Sequence, residues 1–281
     1  VDSLVAQGQK VLLVCNQVKR AQDLYNQVAK RYGDVPTMLI HSRFRRCDRS
    51  DLETTLTSEY NSMPGACIVV STQVVEVSLD ISFDAMITEC APIDALVQRF
   101  GRVNRKRTRQ TIGHYKPVYV VAPPDDKDEA LPYTLDVLQR TFDVLPDHGE
   151  LMEERQVQSM IDQVYDHLEL EDIDFSGVAY CDGHWRLKEL WHRAKSALLE
   201  ALDINSAVCV TESDKQAYLD ADSTVRTKME IPVSYHAIAH RQLNQIDQGS
   251  RPFVIPDKAY DQAEGLLIDE AQPTNYRTYE M

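Results

Sequence analysis

The first 122 residues alternate short apolar runs with amphipathic helical stretches, and this alternation constrains the fold more than any other feature of the chain. VLLVCN (11–16), TMLIHS (37–42), ACIVVST (66–72), AMITE (85–89) and PVYVVA (117–122) have strand length and strand composition. Between the first two, Val18, Ala21, Leu24, Tyr25 and Val28 fall at helical spacing over 18–32, with Asn16 placed as the N-cap. Residues 50–60 predict a second helix, capped by Ser50 with Glu53 three residues on as a capping box. Pro92 opens a third helix that runs through Ala95, Leu96 and Gln98 to about Val103. Strands separated by helices of this length imply parallel pairing with right-handed crossovers. Their nearly continuous apolar character fits a sheet covered on both faces. An α/β fold is expected, a parallel sheet with flanking helices.

After residue 122 the pattern changes. PPDDKDEA (123–130) is a charged, proline-punctuated linker. Leu135, Leu138, Phe142 and Leu145 mark one amphipathic helix. Val157, Met160, Ile161, Val164, Tyr165 and Leu168 mark another, and Leu187, Leu190, Trp191, Ala194, Leu198 and Leu202 a third. Short β-like pieces follow at 207–211, 229–233 and 253–256. The expected division is 1–122 for the parallel-sheet domain and 123–281 for linker helices with a smaller α+β accessory domain. Charge divides at the same place. Residues 1–123 carry 16 Lys+Arg against 12 Asp+Glu, and the remainder 14 against 32, for an overall net charge of −14. Only the first half is suited to face a polyanion. The six cysteines show no Cys-x-x-Cys pair and no disulfide framework, which points to a reducing cytoplasm. No run approaches the ~18 apolar residues of a membrane span, so no membrane is expected as a partner. A start at Val1 rather than Met suggests a piece of a longer protein.

In an open parallel sheet, ligands gather beyond the carboxyl ends of the strands. Unusual residues stand at those places here. Asn16 and Lys19 follow the first strand, HSRF (41–44) the second, and STQVVEVSLD (71–80) the third; QRFGRVNR (98–105) lies on the last helix. Continued as a helix, that last segment brings Gln98, Arg102 and Arg105 to one face, with Gly101 removing a side chain where another surface comes close. Two permanently cationic forks and an amide suit a triphosphate. A solvated basic helix end is the alternative. Thr72 ends a buried strand where its hydroxyl and the following amides suit a backbone phosphate, and Asp80 suits a ribose hydroxyl; either is also a common turn former.

Taken in order, these segments resemble the second RecA-like motor domain of superfamily 2 helicases. The Ser-Thr-Gln-Val-Val-Glu wording and the HSRF element narrow the resemblance to the helicase–nuclease of type I CRISPR interference systems. It covers residues 10–122 closely and the remainder in layout only. The resemblance implies an ATP-dependent single-stranded DNA translocase of antiviral defence, moving 3′ to 5′. It makes Gln98, Arg102 and Arg105 the groups that reach ATP held by a first motor domain, the two arginines as fingers. Asp80 and Gly101 would lie at the nucleotide, and Thr72, Gln73, Asn16, Lys19, Ser42 and Arg43 would hold phosphates of the strand. Implied partners are single-stranded DNA, a CRISPR RNA-guided surveillance complex, and the first motor and nuclease domains; implied cofactors are ATP and Mg²⁺. Glu76 reads as structural, pairing with an arginine.

Two elements of a complete motor are absent from the sequence. None of the ten glycines is followed by lysine, so there is no phosphate loop, and no histidine precedes an aspartate as in the family's nuclease domain. LLIDEAQ (266–272) imitates an acidic magnesium box but stands after the arginine segment, where an edge strand and turn is expected. His236 and His240 have i, i+4 spacing without a third ligand, so no metal site is expected. The chain alone is expected neither to hydrolyse ATP nor to cut DNA. A restriction or repair translocase, or a docking module with an acidic face, remain alternatives.

Overall fold

The computed structural model describes residues 1–76, 79–106, 113–146, 149–165, 178–181, 184–187 and 206–273. Five strands, β1 (Lys10–Val14), β2 (Thr37–Ile40), β3 (Cys67–Ser71), β4 (Ala85–Glu89) and β5 (Val118–Val121), form one sheet in the order β2-β3-β1-β4-β5. Every neighbouring pair is parallel, with Leu12 opposite both Val69 and Met86 at the centre. The apolar runs explain this directly. All of β3 is buried, and the two faces of β1 feed two cores. One core gathers Leu12, Val14, Val69 and Met86, the other Val11, Leu13, Ile68 and Val70.

Helix α1 (Asp2–Ala6) precedes β1, and α2 (Val18–Arg31) buries Ala21 and Val28 against the second core. Asn16 does not cap α2. Gln17 is the N-cap, without a side-chain bond, while the Asn16 side chain turns inward. Helix α3 spans Arg46–Thr55 rather than starting after Ser50. Ser50 therefore lies inside the helix, its carbonyl accepting from Thr54 Oγ1, and Glu53 pairs with Arg49 at 2.7 Å instead of closing a capping box. A π-turn, Leu56–Tyr60, prolongs α3, with Thr57 and Ser58 hydroxyls bonded back to preceding carbonyls. Helix α4 (Ile93–Phe100) ends sooner than the pattern suggests. After Gly101 the chain pairs beside Phe83, because Val103 is drawn into the core.

The linker turns as α5 (Lys127–Ala130), capped by Asp126, and leads to α6 (Leu135–Val144) and α7 (Glu154–Val164). These helices pack on α4: Met160 and Val164 meet Ile93, and Tyr133 and Leu145 meet Ala95 and Leu96. Strands β6 (Val178–Cys181) and β7 (His184–Leu187) form a hairpin. The amphipathic stripe expected over 187–202 lies outside the described residues beyond Leu187. A second sheet has β8 (Ser206–Thr211) between β9 (Ile231–Ser234) and β10 (Phe253–Ile255), close to the β-like pieces seen in the sequence. LLIDEAQ becomes the end of a two-stranded ribbon and a 3₁₀ turn over Ile268–Glu270.

This C-terminal part seats on the loop after β2. The Leu266 amide donates to the Arg43 carbonyl, and Gln22 Nε2 donates to the carbonyls of Glu264 and Leu266. Gly265, at φ +72°, stands so close to His41 and the Arg43 carbonyl that a Cβ would come within 2.7–2.8 Å of both. His41 is fully buried. Its Nδ1 accepts from the Arg43 amide, so Nε2 carries the proton and donates to the Glu264 carbonyl at 2.9 Å. Desolvation, with the Arg43 and Arg49 charges adding to it, pushes its pKa down to about 3. The folded chain thus keeps His41 neutral where the unfolded chain protonates it. Its contribution is complete above pH ~6.5 and is lost as pH falls toward 3, at ~1.4 kcal/mol per pH unit. The unfolding free energy of the wild type should fall more steeply over that window than that of His41→Gln, by one proton; equal slopes would contradict the buried neutral imidazole.

Candidate functional site

The carboxyl ends of β1, β3 and β4 converge on Arg99, the largest fully buried side chain among the described residues. It reaches the core because it stands three residues after Leu96 and four after Ala95, on the buried stripe of α4. Nε donates to Glu76 Oε1 at 2.8 Å, Nη1 to Thr88 Oγ1 at 2.8 Å and the Glu89 carbonyl at 3.2 Å, and Nη2 to Asn16 Oδ1 at 3.0 Å. Glu76 therefore does pair with an arginine, and its partner is Arg99. Asn16 is held from every side: its amide donates to Glu89, its Nδ2 to the Cys90 carbonyl, and its own carbonyl accepts from Gln73. Arg20 sits 3.1 Å from Glu89 on the other side.

The same framework extends to Arg102. Its Nη2 donates to the Glu76 carbonyl at 2.6 Å and its Nη1 to the Leu79 carbonyl at 2.7 Å. Only 8% exposed, it has its pKa lowered by burial and then by Arg105, against the pull of Asp80. Arg105 stands 3.4 Å from Asp80 with both side chains exposed, a pair that solvent keeps weak and exchangeable. The expected single helical stripe is thus corrected. Gln98 and Gly101 are exposed on and just beyond α4, Arg105 lies in the following loop, and Arg102 holds the carbonyls of Glu76 and Leu79 from inside. Burial of Val103 beside Phe83 is the physical reason.

Beside this framework opens a cleft of about 750 Å³. Asn16, Gln17, Val18 and Lys19 line it from the β1–α2 turn, Ser42 and Arg43 from the loop after β2, and Gln73 from beyond β3. Asp128, Leu131 and Pro132, at the end of the linker and just after it, and Pro232, Val233 and Ser234 of β9 complete the lining. Five of the six residues assigned to the strand by the sequence reading therefore share one cleft. Thr72 is the exception, 1% exposed at the end of β3 and outside the lining. Within the cleft Asn16 is 6% exposed with its side chain committed to the framework, so it shapes the wall rather than reaching out.

Arg43 is the most informative residue of this wall. It is half-buried, desolvation lowers its pKa, and among the described residues its guanidinium has neither a hydrogen-bond nor an ion-pair partner. A guanidinium withdrawn from water without an anion asks for one. Lys19 instead pairs with Asp269 at 3.1 Å, from the LLIDEAQ segment, in an exposed and screened contact. Among the described residues no group of three or more His, Cys, Asp and Glu side chains is arranged to hold a metal ion. His240 Nδ1 bonds the His236 carbonyl on a helical turn. No described helix is long and apolar enough to cross a membrane.

Sequence reasoning missed Arg99, Glu89 and the β9 lining of the cleft. A charged residue in phase with Leu96 and Ala95 was the available signal for Arg99; the β9 lining depends on how the C-terminal part seats, which no local pattern encodes. Arg99→Met should lower the unfolding free energy by about 3–5 kcal/mol, because it strands Glu76 without its partner. Adding Glu76→Gln should restore part of the loss in denaturant titrations. A loss under about 1 kcal/mol, or no recovery in the double variant, would contradict the buried pairing.

Residues 7–108 match the family model for the C-terminal part of the CRISPR-associated nuclease/helicase Cas3. A putative CRISPR-associated nuclease/helicase Cas3 of Methanocaldococcus jannaschii is 32% identical over 163 residues, 56% of this chain and 21% of that protein. The Escherichia coli K12 endonuclease/helicase Cas3 is 31% identical over 181 residues, 60% of this chain and 20% of that protein. The chain spans about a fifth of the length of the curated relatives it matches. Among solved structures, T. fusca Cas3 with AMPPNP superposes with a TM-score of 0.68 at 20% identity, over 94% of this chain and 39% of that one. A chain of a CRISPR RNA-guided surveillance complex before nicking superposes with a TM-score of 0.61 at 19% identity, over 94% and 41%. At such identities the structural likeness is one of fold, and it is the RecA-like fold of the helicase C-terminal region.

Proposed function

Residues 7–108 are a Cas3-like C-terminal domain, and from that premise we propose that the chain is the second motor half of an ATP-dependent, single-stranded DNA translocase of CRISPR interference in the cytoplasm. The observation that carries this reading is the cleft, where a half-buried guanidinium without an anionic partner among the described residues stands with Lys19, Ser42 and Gln73 at the carboxyl edge of a parallel sheet. Contacts to phosphates position a strand without reading its bases, as a motor that runs over any sequence requires. An RNA-guided surveillance complex is the proposed partner, since a chain of such a complex shares the fold.

ATP with Mg²⁺ would be held mainly by a first motor domain, and when bound it supplies the phosphoryl group whose transfer drives movement. The residues present fit that role. Arg105 can exchange its exposed contact with Asp80 for phosphate oxygens, because a surface ion pair is worth ~0–1 kcal/mol and a bidentate phosphate contact more. Gln98 and Gly101, both exposed, would add to the surface for the nucleotide. Arg102 holds the segment that carries Asp80 at its end, acting through position rather than by reaching out. By itself the chain lacks a phosphate loop, so appreciable hydrolysis and strand cleavage are not expected of it.

The two arginines separate the two halves of this reading. In the complete protein, Arg105→Ala should lower DNA-stimulated ATP turnover by about 10³-fold or more, the scale of arginine fingers elsewhere, with strand affinity little changed. Arg43→Ala should weaken binding of a single strand and reduce the slope of log affinity against log salt by about 0.7, one phosphate contact. If Arg105→Ala weakened the strand while sparing turnover, or Arg43→Ala left the salt slope alone, the proposal would fail.

A further inference from the structure

The lining of the cleft is chemically mixed, and only its polar part is accounted for by phosphate. Lys19, Ser42, Arg43 and Gln73 belong to the polar part. The same lining carries the apolar side chains of Val18, Leu131, Pro132, Pro232 and Val233. Leu131 is 53% exposed, among the few large apolar side chains left in water. It is not carried on a loose loop. Gln17 Nε2 donates to the carbonyls of Asp128 and Leu131 at 3.1 Å each, and Arg20 donates to the Glu129 carbonyl at 2.8 Å. Asp126 accepts from the amides of Asp128 and Glu129. The linker is pinned on α2, and the leucine is held out into the cleft.

Resting on the strand-path reading above, we infer that Leu131, Pro132 and Pro232 form a base-facing wall, against which the sugars and bases of a single strand lie while its phosphates face Arg43 and Lys19. A single strand is itself two-sided, anionic along the backbone and largely apolar across the base faces, and the cleft offers both cationic and apolar lining. Asp128 also lines the cleft, and its negative charge disfavours a phosphate beside it. Leucine and proline side chains offer no donor or acceptor to base edges, so the wall holds any sequence. The contact is apolar burial rather than aromatic stacking.

Binding of the 281-residue chain to two oligomers of about a dozen nucleotides tests this: oligo-dT, and an abasic strand with the same backbone. The wild type should favour oligo-dT by about fivefold, the effect of covering half a leucine side chain. Leu131→Ala, at an exposed position that the core does not need, should reduce that preference to about one without changing abasic affinity, and Leu131→Met should retain it. A wild type without preference, or a Leu131→Ala variant that weakens both oligomers alike, overturns the wall. Failure of the wild type to bind either oligomer overturns the strand-path reading itself.

Discussion

The structure turns on a buried guanidinium. Arg99 lies out of water at the point where β1, β3 and β4 end, and such a group is tolerated only when its donors are met. Here Glu76 neutralises it, while Asn16, Thr88 and the Glu89 carbonyl take its remaining bonds. The geometry of those bonds fixes three loops against one another. Asn16 shapes the floor of the cleft, Glu76 hands its carbonyl to Arg102, and Arg102 holds the approach to Asp80 and Arg105. A hydrophobic residue in place of Arg99 would fill the space but would leave those loops without a common reference.

The second constraint is the way the C-terminal part closes over the loop after β2. Gly265 passes where no side chain fits, and the neutral His41 imidazole bonds the chain on both of its nitrogens. Arg45 adds its contacts to Asp214 at 2.6 Å and to the ring of Tyr260. This seating brings β9 and Arg43 into the lining of one cleft. Without it the polar residues after β1, β2 and β3 would lie on an open sheet edge; with it they line a cleft. The acidic second half of the chain contributes one carboxylate, Asp128, to that lining, beside Leu131, Pro132, Pro232, Val233 and Ser234.

The parallel sheet was legible because strands buried on both faces leave near-continuous apolar runs, and the five runs match the five strands to within two residues at most ends. That residues after β1, β2 and β3 come together in one cleft was legible because the carboxyl edge of a parallel sheet collects its loops in one place. Periodicity failed where tertiary packing overrode it. QRFGRVNR continues as a helix on paper, yet Val103 is worth more in the core beside Phe83. Ser50 and Glu53 have capping-box spacing, yet the basic residues before them start α3 earlier through pairs with Glu230 and Asp48. Asn16 has the composition of a cap and the surroundings of a buried amide.

The central claim is that one cleft, lined by residues of the parallel-sheet part, the linker region and the C-terminal sheet together, takes a single strand. Photocrosslinking with an oligonucleotide carrying 5-iododeoxyuridine, followed by peptide mapping, tests it most directly. Crosslinks should concentrate in peptides containing Lys19, Arg43, Gln73, Leu131 and Pro232. Crosslinks confined to the helices Glu154–Val164 or Ser223–Met229, with those peptides unmarked, would contradict it.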